Sequence, residues 1–227
     1  MQLSTFLLVI GAYLLGSFPS AYIAGRLIKG IDIREYGSGN VGGSNVWEMV
    51  SKWALFPVGI TDVIKGMLPV YVAQRMGLGL PEQAMAGLAA IIGHNWSVFL
   101  KFDGGRGIAT ILGVLFLFAP TEMVILAGLM LVGFVFHHVA LAAAIGLALL
   151  PLAAWIIGEP LAITLTCLLL LILVMSKRLL SNRGTGAEGE DWRSVMINRL
   201  LFDRDIRSRE EWVHRTPDDR AEFRGKI

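Results

Sequence analysis

The chain has 227 residues, 55% of them hydrophobic, with a mean hydropathy of +0.63 and a formal net charge of +2. An ordinary soluble domain spreads its charge along the sequence, but here 12 of the 20 Lys and Arg residues and 10 of the 18 Asp and Glu residues lie at or beyond Lys177. That segregation argues for a bilayer-embedded part, residues 1–176, followed by a charged tail, residues 177–227. The small net charge argues against nucleic-acid binding, and a lone Cys167 in an apolar run excludes an intrachain disulfide or a cysteine-based zinc site.

A spanning helix needs roughly 20 apolar residues. Leu3 to Leu27 is the first candidate, and it is too long and too poor in leading positive charge for a cleaved secretory signal. Ala54 to Ala73 is the second and Ala84 to Leu100 the third. Ile108 to Phe136 is long enough for one span, or for two short ones if Ala119-Pro120-Thr121 breaks it. Val139 to Ile157 and Leu161 to Met175 follow, separated by Gly158-Glu159-Pro160.

Basic residues favour the cytoplasmic side. Arg26, Lys29, Arg34 and Lys52 put the first loop there, and Lys101 and Arg106 put the third loop there, as does the tail from Lys177. An even number of crossings must then separate Arg106 from Lys177, so Pro120 is expected to split the long stretch. The expectation is an all-α membrane bundle of about seven spans, with the N-terminus outside and the C-terminus inside. In the tail, Trp192, Val195, Met196, Leu200, Leu201 and Phe202 have the rhythm of a short amphipathic helix lying on the membrane or against the loops. The last dozen residues are expected to be mobile.

Three polar clusters interrupt the apolar sequence. The first is GSGNVGGSNV, from Gly37 to Val46. Gly37, Gly39, Gly42 and Gly43 free the backbone to turn successive N–H groups toward one anion, while Ser38, Asn40, Ser44 and Asn45 add side-chain donors. Gly37, Gly39 and Gly42 also satisfy a dinucleotide-type glycine pattern, but no strand precedes them, so that reading is set aside. The second cluster is Asp62-Val63-Ile64-Lys65-Gly66. Charges within a span are costly and mark sites, and the i, i+3 spacing lets Asp62 orient the Lys65 ammonium toward a phosphate. The third is Gly93-His94-Asn95-Trp96 and the following KFDGGRGIAT. It offers His94 as a base, Gly104, Gly105, Arg106 and Gly107 as an anion loop, and Lys101 and Thr110 in support. His137 and His138 lack a carboxylate partner and read as structural.

These motifs, in this order, resemble the acyl-phosphate-dependent membrane glycerol-3-phosphate acyltransferases of bacteria (the PlsY type), strongly from Leu3 to Ala119 and by hydropathy beyond. AYLLGSFPSAYIAGRL and GIDIREYGSGN carry the likeness too. By the topology above all three clusters share the cytoplasmic face, and the resemblance implies a seven-helix inner-membrane enzyme with no cofactor or metal. Such an enzyme moves a fatty acyl group from acyl phosphate to the 1-hydroxyl of glycerol 3-phosphate, for phospholipid synthesis. The implied functional residues are Ser38, Asn40, Asn45, Lys65, His94 and the Gly104–Gly107 loop. The sequence departs from the family pattern at Glu48, where Arg is common, and at Arg106, where Lys is common. Ser97 replaces a proline, and Ser176-Lys177-Arg178 lacks the usual histidine. Two other functions fit part of the pattern: an organic-phosphate transporter, and a degenerate homologue serving as a binding subunit. A soluble-type acyltransferase pattern from His214 to Asp219 reads as chance.

Overall fold

A computed structural model describes residues 2–181, 191–206, 208–214 and 216–217. Among them the regular structure is helical: α1 (Leu3–Gly16), α2 (Ser20–Lys29), α3 (Gly43–Met49), α4 (Leu55–Arg75), α5 (Leu80–Asn95), α6 (Ile108–Phe118), α7 (Pro120–Val135), α8 (Val139–Ile157), α9 (Leu161–Leu180), α10 (Trp192–Phe202) and α11 (Arg209–Val213), with short 3-10 turns at Ile33–Glu35 and Val98–Leu100. Four stretches are long and apolar enough to cross a membrane: Leu3–Lys29, Leu55–Arg75, Val139–Ile157 and Leu161–Leu180. Leu7, Val124, Phe134, Trp155 and Leu161 are exposed on the outer surface, as expected of helices that face lipid.

Several boundaries differ from the sequence expectation, and each has a local cause. The first span is broken at Ser17-Phe18-Pro19, because a proline cannot donate into the ladder and disfavours helix in the residue before it. The third ends at Asn95 rather than Leu100, leaving a 3-10 turn behind it. Pro120 does split Ile108–Phe136, giving α6 and α7. The last span continues past Met175 to Leu180, so the change of composition at Lys177 falls inside a helix. The expected tail helix is present as α10, packed against α8 and α9.

Small residues set the packing. A Cβ at Gly66 of α4 would strike the Thr110 carbonyl of α6, and one at Gly113 of α6 would strike the Val63 carbonyl of α4. The same reciprocity joins α1 and α5, where Gly16 lies on the Ala90 backbone and Gly93 on that of Tyr13. In lipid no hydrophobic drive pushes helices together, so such backbone-to-backbone approach supplies much of the association. These two pairs, with α7–α8 and α8–α9, are the most extensive helix contacts. The main core lies among α4 to α9, around Ile91, Ile111, Leu115, Leu126, Leu147 and Leu170, and includes Cys167. A second cluster joins Ala21, Ile33, Val41, Val46, Val58 and Leu100, which binds the two glycine loops to α2 and α4.

Candidate active site

The first glycine loop is held by one side chain. Asn45, buried in the first turn of α3, donates Nδ2 to the carbonyls of Ile33 (3.0 Å) and Tyr36 (3.1 Å), and its Oδ1 accepts from the Ser38 N–H (3.2 Å). Gly37 and Gly39 take φ values of +55° and +70°, where a side chain would be strained. The Ser38 hydroxyl accepts from the Asn40 N–H at 3.3 Å, which leaves its own proton free to donate. Asn40 Oδ1 is buried without a hydrogen-bond partner. Asp32 clamps the loop's entry. It accepts from the Arg34 backbone N–H (3.1 Å), Nε (2.9 Å) and Nη2 (2.7 Å), and from Arg26 Nη2 (3.3 Å). The Arg34 guanidinium holds the Asp32 carboxyl below the usual carboxylate range. Arg34 also reaches the Leu100 carbonyl (3.4 Å), tying the first loop to the turn before the second.

Asp62 and Lys65 meet as the i, i+3 spacing requires, with Nζ 2.8 Å from Oδ1, and both side chains are buried. The sequence does not disclose their other partners. Lys65 Nζ also donates to the Phe18 carbonyl at 3.1 Å, and the Ser20 hydroxyl donates to Asp62 Oδ1 at 2.6 Å. Both come from the α1–α2 break. There the interrupted ladder frees the Phe18 carbonyl to accept from Lys65, and such irregular backbone is tolerated in a membrane protein where it is buried in protein. Two of the three ammonium protons are thereby engaged, leaving one for a ligand.

His94 completes this group from the last turn of α5, its Nδ1 3.9 Å from Asp62 Oδ1 and without a hydrogen bond. The second glycine loop folds back over it: Gly104 and Gly105 N–H donate to the carbonyls of Asn95 (3.2 Å) and His94 (3.0 Å). A Cβ at Gly105 would collide with both His94 Nε2 and the Val41 carbonyl, so only glycine lets the imidazole and the two loops converge. A cavity of about 10 Å³ marks the convergence, with Phe18, Ser20, Val41, Lys65, His94 and Gly105 in its wall. Its size is that of about one water.

The sequence candidates thus fall into groups. Lys65, His94, Gly104 and Gly105 come together in the wall of the cavity, with Asp62 behind it against Lys65 and His94. Ser38, Asn40, Gly42 and Arg106 are not in its wall, and Val41 is where the first loop touches it. Asn45 spends both amide protons on carbonyls and holds the loop's shape. Ser44 is exposed at the start of α3, and Lys101 is exposed with φ +55°. Thr110 is fully buried, its hydroxyl unpartnered and its carbonyl against Gly66. Gly107, at φ +77°, opens α6 beside the amide of Asn95. Arg106 turns toward the tail. Its Nε donates to Asp203 Oδ1 (2.6 Å) and its Nη1 to the Ser181 hydroxyl (2.7 Å).

Sequence reasoning singled out neither Ser20 nor Phe18, although Pro19 in the middle of an apolar run is the signal that would have found them. It also gave no role to Lys177, a buried ammonium 5.4 Å from the centre of the Trp96 ring. Asn95, wholly buried with both amide atoms unpartnered, was likewise unassigned. His137 and His138 occupy the α7–α8 turn. Asp218 and Asp219 of the His214–Asp219 pattern, and with them residues 218–227 of the last dozen, lie outside the described residues.

The family model described as "Glycerol-3-phosphate acyltransferase" matches residues 6–183. Glycerol-3-phosphate acyltransferase 5 of Dehalococcoides mccartyi is 38% identical, over 95% of this chain and 95% of its own. Glycerol-3-phosphate acyltransferase 3 of Bacillus anthracis is 39% identical over 74% of this chain and 85% of its own. The crystal structure of PlsY (YgiH), described as an integral membrane glycerol 3-phosphate acyltransferase and solved in its glycerol 3-phosphate form, matches with a TM-score of 0.73 at 31% identity, covering 90% of this chain and 96% of that one.

Proposed function

The chain belongs to the glycerol-3-phosphate acyltransferase family, and from that premise we propose how its polar clusters divide the work of acyl transfer. The protein is a membrane acyltransferase that acylates glycerol 3-phosphate in phospholipid synthesis. The donor is acyl phosphate and the acyl position is the 1-hydroxyl, which gives 1-acylglycerol 3-phosphate and inorganic phosphate. The observation that carries the site is the buried Ser20–Asp62–Lys65–His94 group at a broken helix, roofed by Gly105.

The hydroxyl oxygen of glycerol 3-phosphate attacks the acyl carbonyl carbon, and the bond from that carbon to the phosphate oxygen breaks. Phosphate leaves readily, so the protein's contribution is alignment and neutralisation of charge. Lys65, with Asp62 and the Phe18 carbonyl fixing its ammonium, lends its remaining proton to one substrate phosphate beside the first loop. Ser38 donates its hydroxyl proton to the same substrate, and Asn45 keeps Ser38 in place. Arg106 receives the other phosphate at the second glycine loop, whose Gly104 and Gly105 N–H groups are held by the carbonyls of Asn95 and His94. His94 takes the proton of the attacking hydroxyl. The acyl chain lies between helices, open to lipid.

This arrangement goes with seven crossings, counting α1 and α2 as one and then α4 to α9. Positive residues in the first and third loops and in the tail favour an inner-membrane orientation with the site and C-terminus cytoplasmic. The test is phosphate release by purified protein in detergent, given palmitoyl phosphate and glycerol 3-phosphate. Turnover is expected for wild type, with kcat lowered about 100-fold or more by Lys65→Ala or His94→Ala. Wild type that releases no phosphate sinks the reaction. A His94→Ala variant keeping more than about a tenth of kcat would move the proton's acceptor from His94 to a substrate phosphate.

A further inference from the structure

Arg106 is the only cation in the second glycine loop, and the tail decides how it sits. Asp203 takes its Nε and the Ser181 hydroxyl takes its Nη1, while Ser181 in turn donates to the Lys177 carbonyl at 2.6 Å. Nη2 is left without a protein partner among the described residues. The guanidinium is a rigid planar fork, so fixing two of its nitrogens aims the third. Asp203 caps the C-terminal end of α10 at φ +56° and ψ +39°, a left-handed conformation that Asp adopts more readily than most non-glycine residues.

The helix carrying Asp203 is firmly docked. Buried Arg178 of α9 donates to the Leu200 carbonyl (2.6 Å) and, through its other arm, to the Ala140 carbonyl of α8 (2.8 Å). Buried Arg199 of α10 donates back to the Leu179 carbonyl (3.1 Å) and is clamped by Asp205 at 2.6 Å. These crossed arginines make α10 a fixed wall rather than a loose flap. The family match ends at residue 183, so α10 lies outside it.

We propose that Asp203, brought in by the tail helix, is a positioning residue that aims Arg106 at a substrate phosphate. The tail thereby completes the anion site of the second glycine loop. This inference rests on the reading of Arg106 as a phosphate ligand. Asp203 touches no reacting atom; it removes the rotamer freedom that the guanidinium would otherwise lose on binding. Arginine in the loop suits such a tether, because a lysine ammonium is a point charge with no second edge to hold.

The test uses full-length protein in detergent, with KM for each substrate, kcat and thermal unfolding followed together. Asp203→Asn is expected to raise KM for one substrate about tenfold while kcat and the other KM stay within about twofold, and Asp203→Glu recovers part of the loss. In an Arg106→Ala background, Asp203→Asn is expected to add nothing further. Should Asp203→Asn fail to fold, Ser181→Ala removes the lighter tether alone and is expected to raise the same KM less. If Arg106→Ala raises a KM and neither tether variant does, the inference is overturned. It is equally overturned if the Asp203→Asn loss persists in full without Arg106, since that marks a purely structural role. Arg106→Ala that leaves both KM values unchanged sinks the reading of Arg106, and this inference with it.

Discussion

At the scale of single residues, the Asp62–Lys65 pair shows how a buried charge is tolerated. An isolated ion at membrane depth is costly, but here each charge has two partners: Asp62 holds Lys65 and Ser20, and Lys65 holds Asp62 and the Phe18 carbonyl. Removing one side therefore costs more than removing both. Asp62→Ala is expected to destabilise the protein by about 3–5 kcal/mol, because it strands an ammonium. The double variant Asp62→Asn/Lys65→Met is expected to recover most of that loss in Tm yet remain inactive. Unfolding in detergent and phosphate release measure the two effects separately. A double variant as unstable as Asp62→Ala would show that the pair is not self-compensating. The pairing was legible from an i, i+3 spacing inside an apolar run. Its partners were not, since Ser20 lies 42 residues from Asp62 and only the fold brings it within 2.6 Å.

At the scale of elements, the geometry of the proposed site rests on two tightly seated helix pairs. Gly66 rests on the Thr110 carbonyl in the first turn of α6, next to the Gly104–Gly107 loop. Gly66→Ala is expected to push α6 from α4, costing about 1–3 kcal/mol as overpacking does, and to lower kcat by displacing the loop. Gly128→Ala, in α7 with open space around it, is the control and is expected to leave both unchanged. Equal effects from the two substitutions would refute the close-packing account. Hydropathy found the helices, and Pro120 correctly divided α6 from α7. Pro19 was as clear a breaker but stood inside a run of ordinary spanning length, where nothing in the pattern demanded a break. The extension of α9 to Leu180 is not visible in the sequence because Lys177 and Arg178 read as the start of the charged tail. Both are buried, Lys177 against Trp96 and Arg178 on the carbonyls of Leu200 and Ala140.

For the molecule as a whole, the expected seven crossings give each loop a side. With Cys167 buried in the core, single cysteines introduced at the loops can be probed in intact cells with a membrane-impermeant thiol reagent. Met76→Cys and Glu159→Cys are expected to label from outside, while Lys52→Cys is expected to label only after the cells are opened. External labelling of Lys52→Cys would invert the topology and detach the site from the cytoplasm.

The sequence by itself determined that the chain is membrane-embedded, which segments are apolar enough to lie in lipid, and which three polar clusters interrupt them. These follow from composition and from spacing within one element, so no long-range contact is needed to see them. Only the tertiary structure decided which residues meet: that Lys65 and His94 share a cavity, that Asn45 braces the first loop from within, and that Arg106 faces Asp203 of the tail. Each of those depends on contacts between distant segments, which are set by close backbone packing at glycines and by crossed arginines. Sequence periodicity reports the face of one helix at a time and carries no record of what that face meets.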